Sequence, residues 1–143
     1  NPDQFDLLKA KPDYARWAFE ETMRFTSPVH SFCRTANVVT EVSGIKIAEG
    51  TKILCVLAAA NRDENHWPEP DKFDIDRRPS QHLALGFGVH ACVGQNVARA
   101  EGYAVLMSIA KKVESIELAG ETVWRPNNSI RSLAHLPVTF RGK

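Results

Sequence analysis

Polar and apolar positions follow three regimes along the chain. Residues 1–11 read as a polar lead-in, and Pro12 with Asp13 then suits a helix start, because proline is tolerated in the first turn and an acid favours its positive end. From Tyr14 the residues Ala15, Ala18, Phe19, Thr22 and Met23 recur at helical spacing until Pro28, which predicts an amphipathic helix. On one flank Trp17, Glu21 and Arg24 succeed one another by turns, so Glu21 and Arg24 can pair, and spacing alone reads as a solvated surface pair. The period then falls to two. Residues 38–42, 45–47 and 53–57 are strand-like, with turns at Ser43-Gly44 and Glu49-Gly50 between them, which predicts hairpins. Residues 58–60 turn helical briefly before 61–81, which has no period at all but carries Trp67, Phe73 and Ile75 as apolar anchors. So long an irregular passage is functional or wraps another element, and it is not a linker. A second helix spans 93–112, with Ala98, Gly102, Val105, Leu106 and Ile109 as its stripe and Lys111 and Lys112 at its negative end. The tail alternates short strands, 116–118 and 138–140, with turns at Gly120 and Asn127-Asn128.

Between the irregular passage and the second helix lies the stretch that carries chemistry, residues 85–99. It places Cys92 between the glycines Gly86, Gly88 and Gly94 and a helix start, where unpaired N–H groups and the positive end of the helix dipole favour a thiolate. Cys92 is thereby poised as a ligand or a nucleophile. Gly86 and Gly88 suit a tightly folded loop, and Gly94 lets a flat partner lie close.

Composition narrows the classes. The chain has 143 residues, 43% of them hydrophobic, enough for one domain core, and it need not be a whole protein. A net charge of +1 with dispersed Lys and Arg gives no footprint for nucleic acid or an anionic membrane. The longest apolar run, 53–60, falls far short of the roughly 20 residues that span a bilayer. Cys33, Cys55 and Cys92 form an odd set without a C-x-x-C pair, which argues against a disulfide framework or a zinc site and for a reducing, cytoplasmic setting. Cys33 and Cys55, in apolar strand-like stretches, read as small buried hydrophobes.

Four motifs in order then carry a family likeness: Glu21-Thr22-Met23-Arg24; Ala60-Asn61-Arg62-Asp63 with residues 70–77 following; Gly88-Val89-His90-Ala91-Cys92-Val93-Gly94; and Val97-Ala98-Arg99. Together they resemble the E-x-x-R helix, meander, cysteine loop and following helix of the cytochrome P-450 family, over about residues 11–140. The likeness is to soluble bacterial members, and around 25–34 and 127–137 the sequence is similar to enzymes that oxidise para-substituted benzoates. The implied fold is mainly helical with small β-sheets, residues 1–143 being the C-terminal haem-binding portion with the upstream portion absent.

The resemblance assigns roles. Cys92 would be the proximal axial ligand of haem b, iron protoporphyrin IX, where a thiolate pushes electron density onto iron and favours O–O cleavage. His90 and Arg34 would meet the haem propionates, and Leu85, Gly86, Phe87, Gly94 and Ala98 would surround the cofactor. Glu21, Arg24 and Arg77 would form a buried charge network locking the proximal side. Val29, His30, Ser31 and Ile130 lie where the family lines its substrate pocket, His30 being able to bond a polar substrate group. One position departs: the family usually has Phe seven residues before the cysteine, where Leu85 stands, so either Leu85 covers the sulfur less well or Phe87 partly substitutes.

The implied activity is monooxygenation, hydroxylation or oxidative demethylation of a small organic substrate with O2 and electrons from a ferredoxin-like donor, without nucleic-acid or membrane partners. The distal helix with its acid and threonine is not in these residues, so the alternative is a truncated haem-binding fragment without turnover. A cysteine hydrolase using Cys92 and His90 is a third reading, but spacing by two residues in a glycine loop provides neither an oriented base nor an oxyanion site.

Overall fold

The computed structural model describes residues 1–143. Its first element corrects the sequence reading: instead of an irregular lead-in, Pro2–Ala10 forms a helix, α1. Pro2 begins it, Asp3 lies in its first turn and Lys9 in its last, all matched to the helix dipole. Only Leu8 of α1 is buried. A helix held by one buried side chain and its end charges leaves little apolar periodicity to detect.

A 3-10 turn at Pro12–Tyr14 leads into the second helix, α2 (Ala15–Thr26), which buries Ala15 and Ala18 as the spacing predicts, and also Glu20 and the Glu21 and Arg24 that the spacing reads as a surface pair. Ser27 ends α2 in the left-handed conformation, immediately before Pro28. Strand β1 (Ser31–Thr35) pairs antiparallel with β4 (Lys52–Val56), and between them β2 (Thr40–Val42) and β3 (Ile45–Ile47) make a hairpin over the Ser43-Gly44 turn, both turn residues at positive φ. Cys33 is exposed rather than buried, since the two-stranded β1–β4 sheet leaves part of its surface uncovered. A short helix, α3 (Leu57–Ala60), opens the irregular passage, whose only regular piece is a 3-10 turn at Ile75–Arg77.

The long helix α4 (Gln95–Lys112) runs directly into β5 (Val113–Leu118), which pairs with β8 (Val138–Gly142); β6 (Val123–Trp124) pairs with β7 (Leu133–His135). All four sheets are two-stranded. The core is the junction of α1, α2, the Ile75 turn and α4, built from Leu8, Ala15, Ala18, Ile75 and Ala110 with Leu106 and Met107 against it. Val105, expected on the α4 stripe, is 56% exposed, because Ala110 and Met107 shift the buried face by a fraction of a turn.

Small residues set the approach of α2 to α4. A Cβ at Gly102 would lie 2.1 Å from Cδ2 of Phe19, so the Phe19 ring fills the space that any side chain there would need. The ring also meets Tyr103 edge-on at 5.5 Å between centroids. Gly102→Ala should therefore destabilise by about 1–3 kcal/mol through overpacking, although alanine is about 1 kcal/mol the better helix former. Chemical denaturation measures the loss, and a double-mutant cycle with Phe19→Ala should show favourable coupling between the two changes.

Candidate functional site

The cysteine loop is held mainly by its own backbone. A 3-10 turn at Gly88–His90 precedes Cys92, whose N–H donates to the Leu85 carbonyl at 2.8 Å, while the Cys92 carbonyl accepts from Gln95 N at 3.2 Å at the head of α4. Gly86 is fixed as glycine twice over: its φ is +74°, and a Cβ there would lie 2.7 Å from the His90 carbonyl oxygen. Gly94 differs. Its dihedrals suit any residue, but a Cβ on it would stand 3.9 Å from Cys92 Sγ, so the absent side chain keeps the sulfur's approach clear.

Cys92 faces a cleft of about 400 Å³ lined by Arg34, His90 and Leu85 together with apolar Val29, Phe32 and Leu57. An adjoining cleft of about 280 Å³ shares Arg34, His90 and Gly86 and adds Phe87 and Cys55. The Arg34 guanidinium is stacked on the Phe32 ring at 3.9 Å, which limits where its charge can point. Leu85, the residue whose carbonyl holds Cys92, shares its cleft; Phe87 is 82% exposed and is absent from that lining.

Not every residue singled out from sequence reaches this cleft. Val29 lines it and forms an isolated antiparallel bridge with Ile130, and His30 N donates to the Ser129 carbonyl at 3.0 Å, so the 29–31 and 129–131 segments run side by side. His30, Ser31 and Ile130 lie beside the lining and not in it. Ala98 sits in the first turn of α4, its N–H bonded to the Gly94 carbonyl, outside the cleft lining.

Behind the loop, Glu21 and Arg24 are fully buried as a two-pronged pair, Nε to Oε2 and Nη2 to Oε1 both at 2.8 Å. The remaining guanidinium donors of Arg24 go to the carbonyls of Asn61 at 2.9 Å, Pro70 at 2.9 Å and Lys72 at 3.2 Å. All five donors are thus used, the full complement of an arginine. Glu21 Oε1 also accepts from Arg77 Nε at 3.2 Å and from Asp74 N at 3.0 Å. Arg77 in turn donates to the carbonyls of Pro68, Glu69 and Lys72. The structure therefore brings Glu21, Arg24 and Arg77 together, with no buried side-chain polar atom left unpaired.

Two features escape the sequence reading. Asn61 is buried, its Nδ2 donating to Ser27 Oγ at 2.9 Å and its Oδ1 accepting from Leu83 N at 2.7 Å, so one amide joins the end of α2 to the approach of the cysteine loop. Next to Glu21, Glu20 accepts from His82 Nε2 at 2.8 Å, from Arg99 Nε at 2.7 Å and Nη2 at 3.2 Å, and from the Tyr103 hydroxyl. Burial pushes the Glu20 carboxyl up, but the bonds from His82, Arg99 and Tyr103 outweigh it and hold the group at about 2. Burial and the bond to Glu20 push the Tyr103 hydroxyl up to about 12. The available sequence signal is Arg99 and Tyr103 at i, i+4 on α4, a polar pair flanking Gly102 inside an apolar stripe.

No group of three His, Cys, Asp or Glu side chains is placed to hold a bare metal ion. A thiol on a glycine loop at a helix head, lining an apolar cleft with an arginine and a histidine, is a donor set compatible with a haem-thiolate scaffold instead. The family model described as cytochrome P450 matches residues 6–139, and the chain belongs to that family. It is 50% identical over 137 residues to cytochrome p450 CYP199A2 of Rhodopseudomonas palustris, covering 96% of this chain and 33% of that protein. It is 41% identical to the beta-dihydromenaquinone-9 omega-hydroxylase of Mycobacterium bovis, covering 96% and 28% respectively. Among solved structures, CYP108D1 of Novosphingobium aromaticivorans superposes with a TM-score of 0.91 at 38% identity, over 100% of this chain and 35% of that one. The chain spans about a third of the length of the curated relatives it matches. No helix is long and apolar enough to cross a membrane.

Two expectations follow from the charge clusters. Glu21→Ala strands Arg24 as an uncompensated buried cation and should cost about 3–5 kcal/mol, read as a lowered denaturation midpoint. The Glu20 carboxyl lies below its ordinary 4.5, so the stability it contributes is complete above that value and fades as the pH falls towards about 2. Glu20→Gln should be less stable than the parent at neutral pH, and the gap should close as the pH is lowered from about 5 to about 2.

Proposed function

We propose that residues 1–143 are the C-terminal haem-binding portion of a monooxygenase and that Cys92 is the axial ligand of its haem, taken to be haem b. The observation that carries this is the single cleft shared by Cys92, Arg34 and His90 between apolar walls. The residues present fit the group: Cys92 lines the cleft, Gly94 sets no side chain beside its sulfur, and two cationic or hydrogen-bonding side chains suit the paired carboxylates of a porphyrin. When bound, haem supplies a redox-active iron at which O2 is reduced, its reactivity raised by thiolate donation.

The chain's own residues then divide the work. Cys92 holds the ligand atom, and the Leu85 carbonyl and the Gln95 N–H at the head of α4 fix its backbone. Arg34 and His90 orient the cofactor through its carboxylates, and Leu85 and Phe32 keep water from the apolar part of the cleft. Gly86, Phe87 and Ala98 complete the surroundings of the loop. Val29, with His30, Ser31 and Ile130 on the adjoining segments, belongs to the substrate side, where His30 can meet a polar group. The likeness around residues 25–34 and 127–137 supports a small aromatic acid of the para-substituted benzoate kind, hydroxylated or demethylated with electrons from a ferredoxin-like donor. The three free cysteines support a reducing, cytoplasmic setting.

A second reading, a haem-binding piece without turnover of its own, is favoured by a specific observation. Only 16 of 143 residues are buried, and large apolar side chains such as Val89, Val93, Leu118 and Leu54 stand in the open. Surfaces of this kind ordinarily meet another part of a fold.

The deciding measurement is the absorption spectrum of the reduced, carbon-monoxide-treated protein supplied with haem. A strongly red-shifted Soret band that Cys92→Ala abolishes is expected, and an unshifted band in the parent would refute thiolate ligation. Substrate turnover with a redox partner separates the two readings. Arg34→Ala removes a charge-assisted partner and should weaken haem retention about tenfold or more, measured by transfer of haem to an acceptor protein.

A further inference from the structure

The E-x-x-R pair accounts for Glu21 but leaves its neighbour unexplained, and Glu20 is as unusual a residue. Its side chain is 8% exposed and collects bonds from three donors on two separate segments. His82 lies ten residues before Cys92 and Arg99 seven after it, so both flanks of the cysteine loop end on one carboxylate.

The bonding on each flank is directional. On the leading side His82 Nδ1 accepts from Ala84 N at 3.3 Å, which leaves the ring hydrogen on Nε2 to donate to Glu20 Oε2. The imidazole therefore links Glu20 to the backbone one residue before Leu85, the residue whose carbonyl holds Cys92 N. On the trailing side Arg99 uses Nε and Nη2 on Glu20 while its Nη1 donates to Gln95 Oε1 at 2.6 Å. Gln95 is the first residue of α4, and its N–H holds the Cys92 carbonyl. Each flank thus runs from Glu20 through one side chain to a residue whose backbone is bonded, directly or at one remove, to that of Cys92.

We infer that Glu20 is a positioning residue for the thiolate ligand: it fixes the leading strand of the cysteine loop against the head of α4 and so sets how firmly Cys92 Sγ is held and shielded. The inference rests on the reading of Cys92 as the haem ligand. Glu20 does not touch the cleft that contains Cys92 and acts only through His82 and Arg99. The role is distinct from that of Glu21, whose partners all lie in α2 and in the irregular passage. The carboxylate is suited to the task because it stays ionised throughout the physiological range, so the clamp does not loosen with pH.

Glu20→Gln places an amide N–H₂ against donors that expect an acceptor, which breaks either the His82 or the Arg99 arm. In the haem-loaded protein the variant should show a several-fold larger unshifted fraction in the reduced carbon-monoxide spectrum. Its iron reduction potential should be more positive than the parent's, because a less firmly held thiolate donates less to the ferric iron. Arg99→Lys keeps the cation but cannot span Glu20 and Gln95 together, and it should shift both readouts in the same direction. It carries the test if Glu20→Gln yields no haem-loaded protein. A lowered denaturation midpoint with parent-like band fraction and potential in the variants assigns Glu20 a structural role only and overturns the inference. A parent protein without the red-shifted band defeats the ligand assignment itself, so the two failures are told apart.

Discussion

The irregular passage between α3 and the cysteine loop depends on one buried guanidinium. Arg24 has five donors and spends two on Glu21 and three on carbonyls of residues 61, 70 and 72. A buried backbone carbonyl must find a donor, and a segment without helix or strand offers few of its own. Arg77 supplies three more, to residues 68, 69 and 72, and is itself oriented by Glu21. Two arginines thus replace the hydrogen-bond ladder that the passage lacks, which is how more than a dozen residues without regular structure are held in place. A lysine at either position could not do this, since a single ammonium carries three donors on one atom and no planar fork.

The carboxylates next to each other on α2 look in different directions. Successive residues on a helix are set about a third of a turn apart, so Glu21 turns towards the irregular passage while Glu20 turns towards α4 and His82. One short stretch of helix therefore anchors both the passage that precedes the cysteine loop and the helix that follows it. Asn61 closes the circuit, joined to Arg24 through its carbonyl, to Ser27 through its amide nitrogen and to Leu83 through its amide oxygen. The consequence is a proximal side assembled from polar contacts rather than from a large apolar core, whose buried cluster holds only Leu8, Ala15, Ala18, Ile75 and Ala110.

Sequence made the periodic parts legible. The α2 and α4 helices, the hairpin turn at Ser43-Gly44 and the anchors Trp67, Phe73 and Ile75 follow from spacing and turn chemistry, because each is a local property, whereas Glu49-Gly50 makes a turn but no hairpin, since β4 pairs with the distant β1 and not with β3. What spacing could not give was the sense of burial. Glu21 and Arg24 at i, i+3 look the same on a wet surface as in a core, and only the arrival of three distant carbonyls makes the pair buried. Helix α1 was hidden for a related reason, since its stability comes from Leu8 meeting α4 and not from a long apolar face. The cysteine loop was visible as chemistry through its glycines, but the Glu20 cluster joins positions 20, 82, 99 and 103, of which only Arg99 and Tyr103 are neighbours by spacing.

The position of Leu85 shows how backbone and side chain can be separated at a site. Whatever residue stands there, its carbonyl receives the Cys92 N–H at 2.8 Å, so the loop's shape does not depend on the ring that the family usually carries. Phe87 lines the neighbouring cleft instead and is mostly exposed. The side chain at this position therefore bears on the cleft, while its carbonyl bears on the shape of the loop. Leu85 brings to that cleft a branched aliphatic side chain, smaller than an aromatic ring and without its electron-rich face. Holding is left to Gly86, the Leu85 carbonyl and the head of α4, all of them backbone features. Firmness in this loop therefore rests on its backbone hydrogen bonds rather than on packing in front of it.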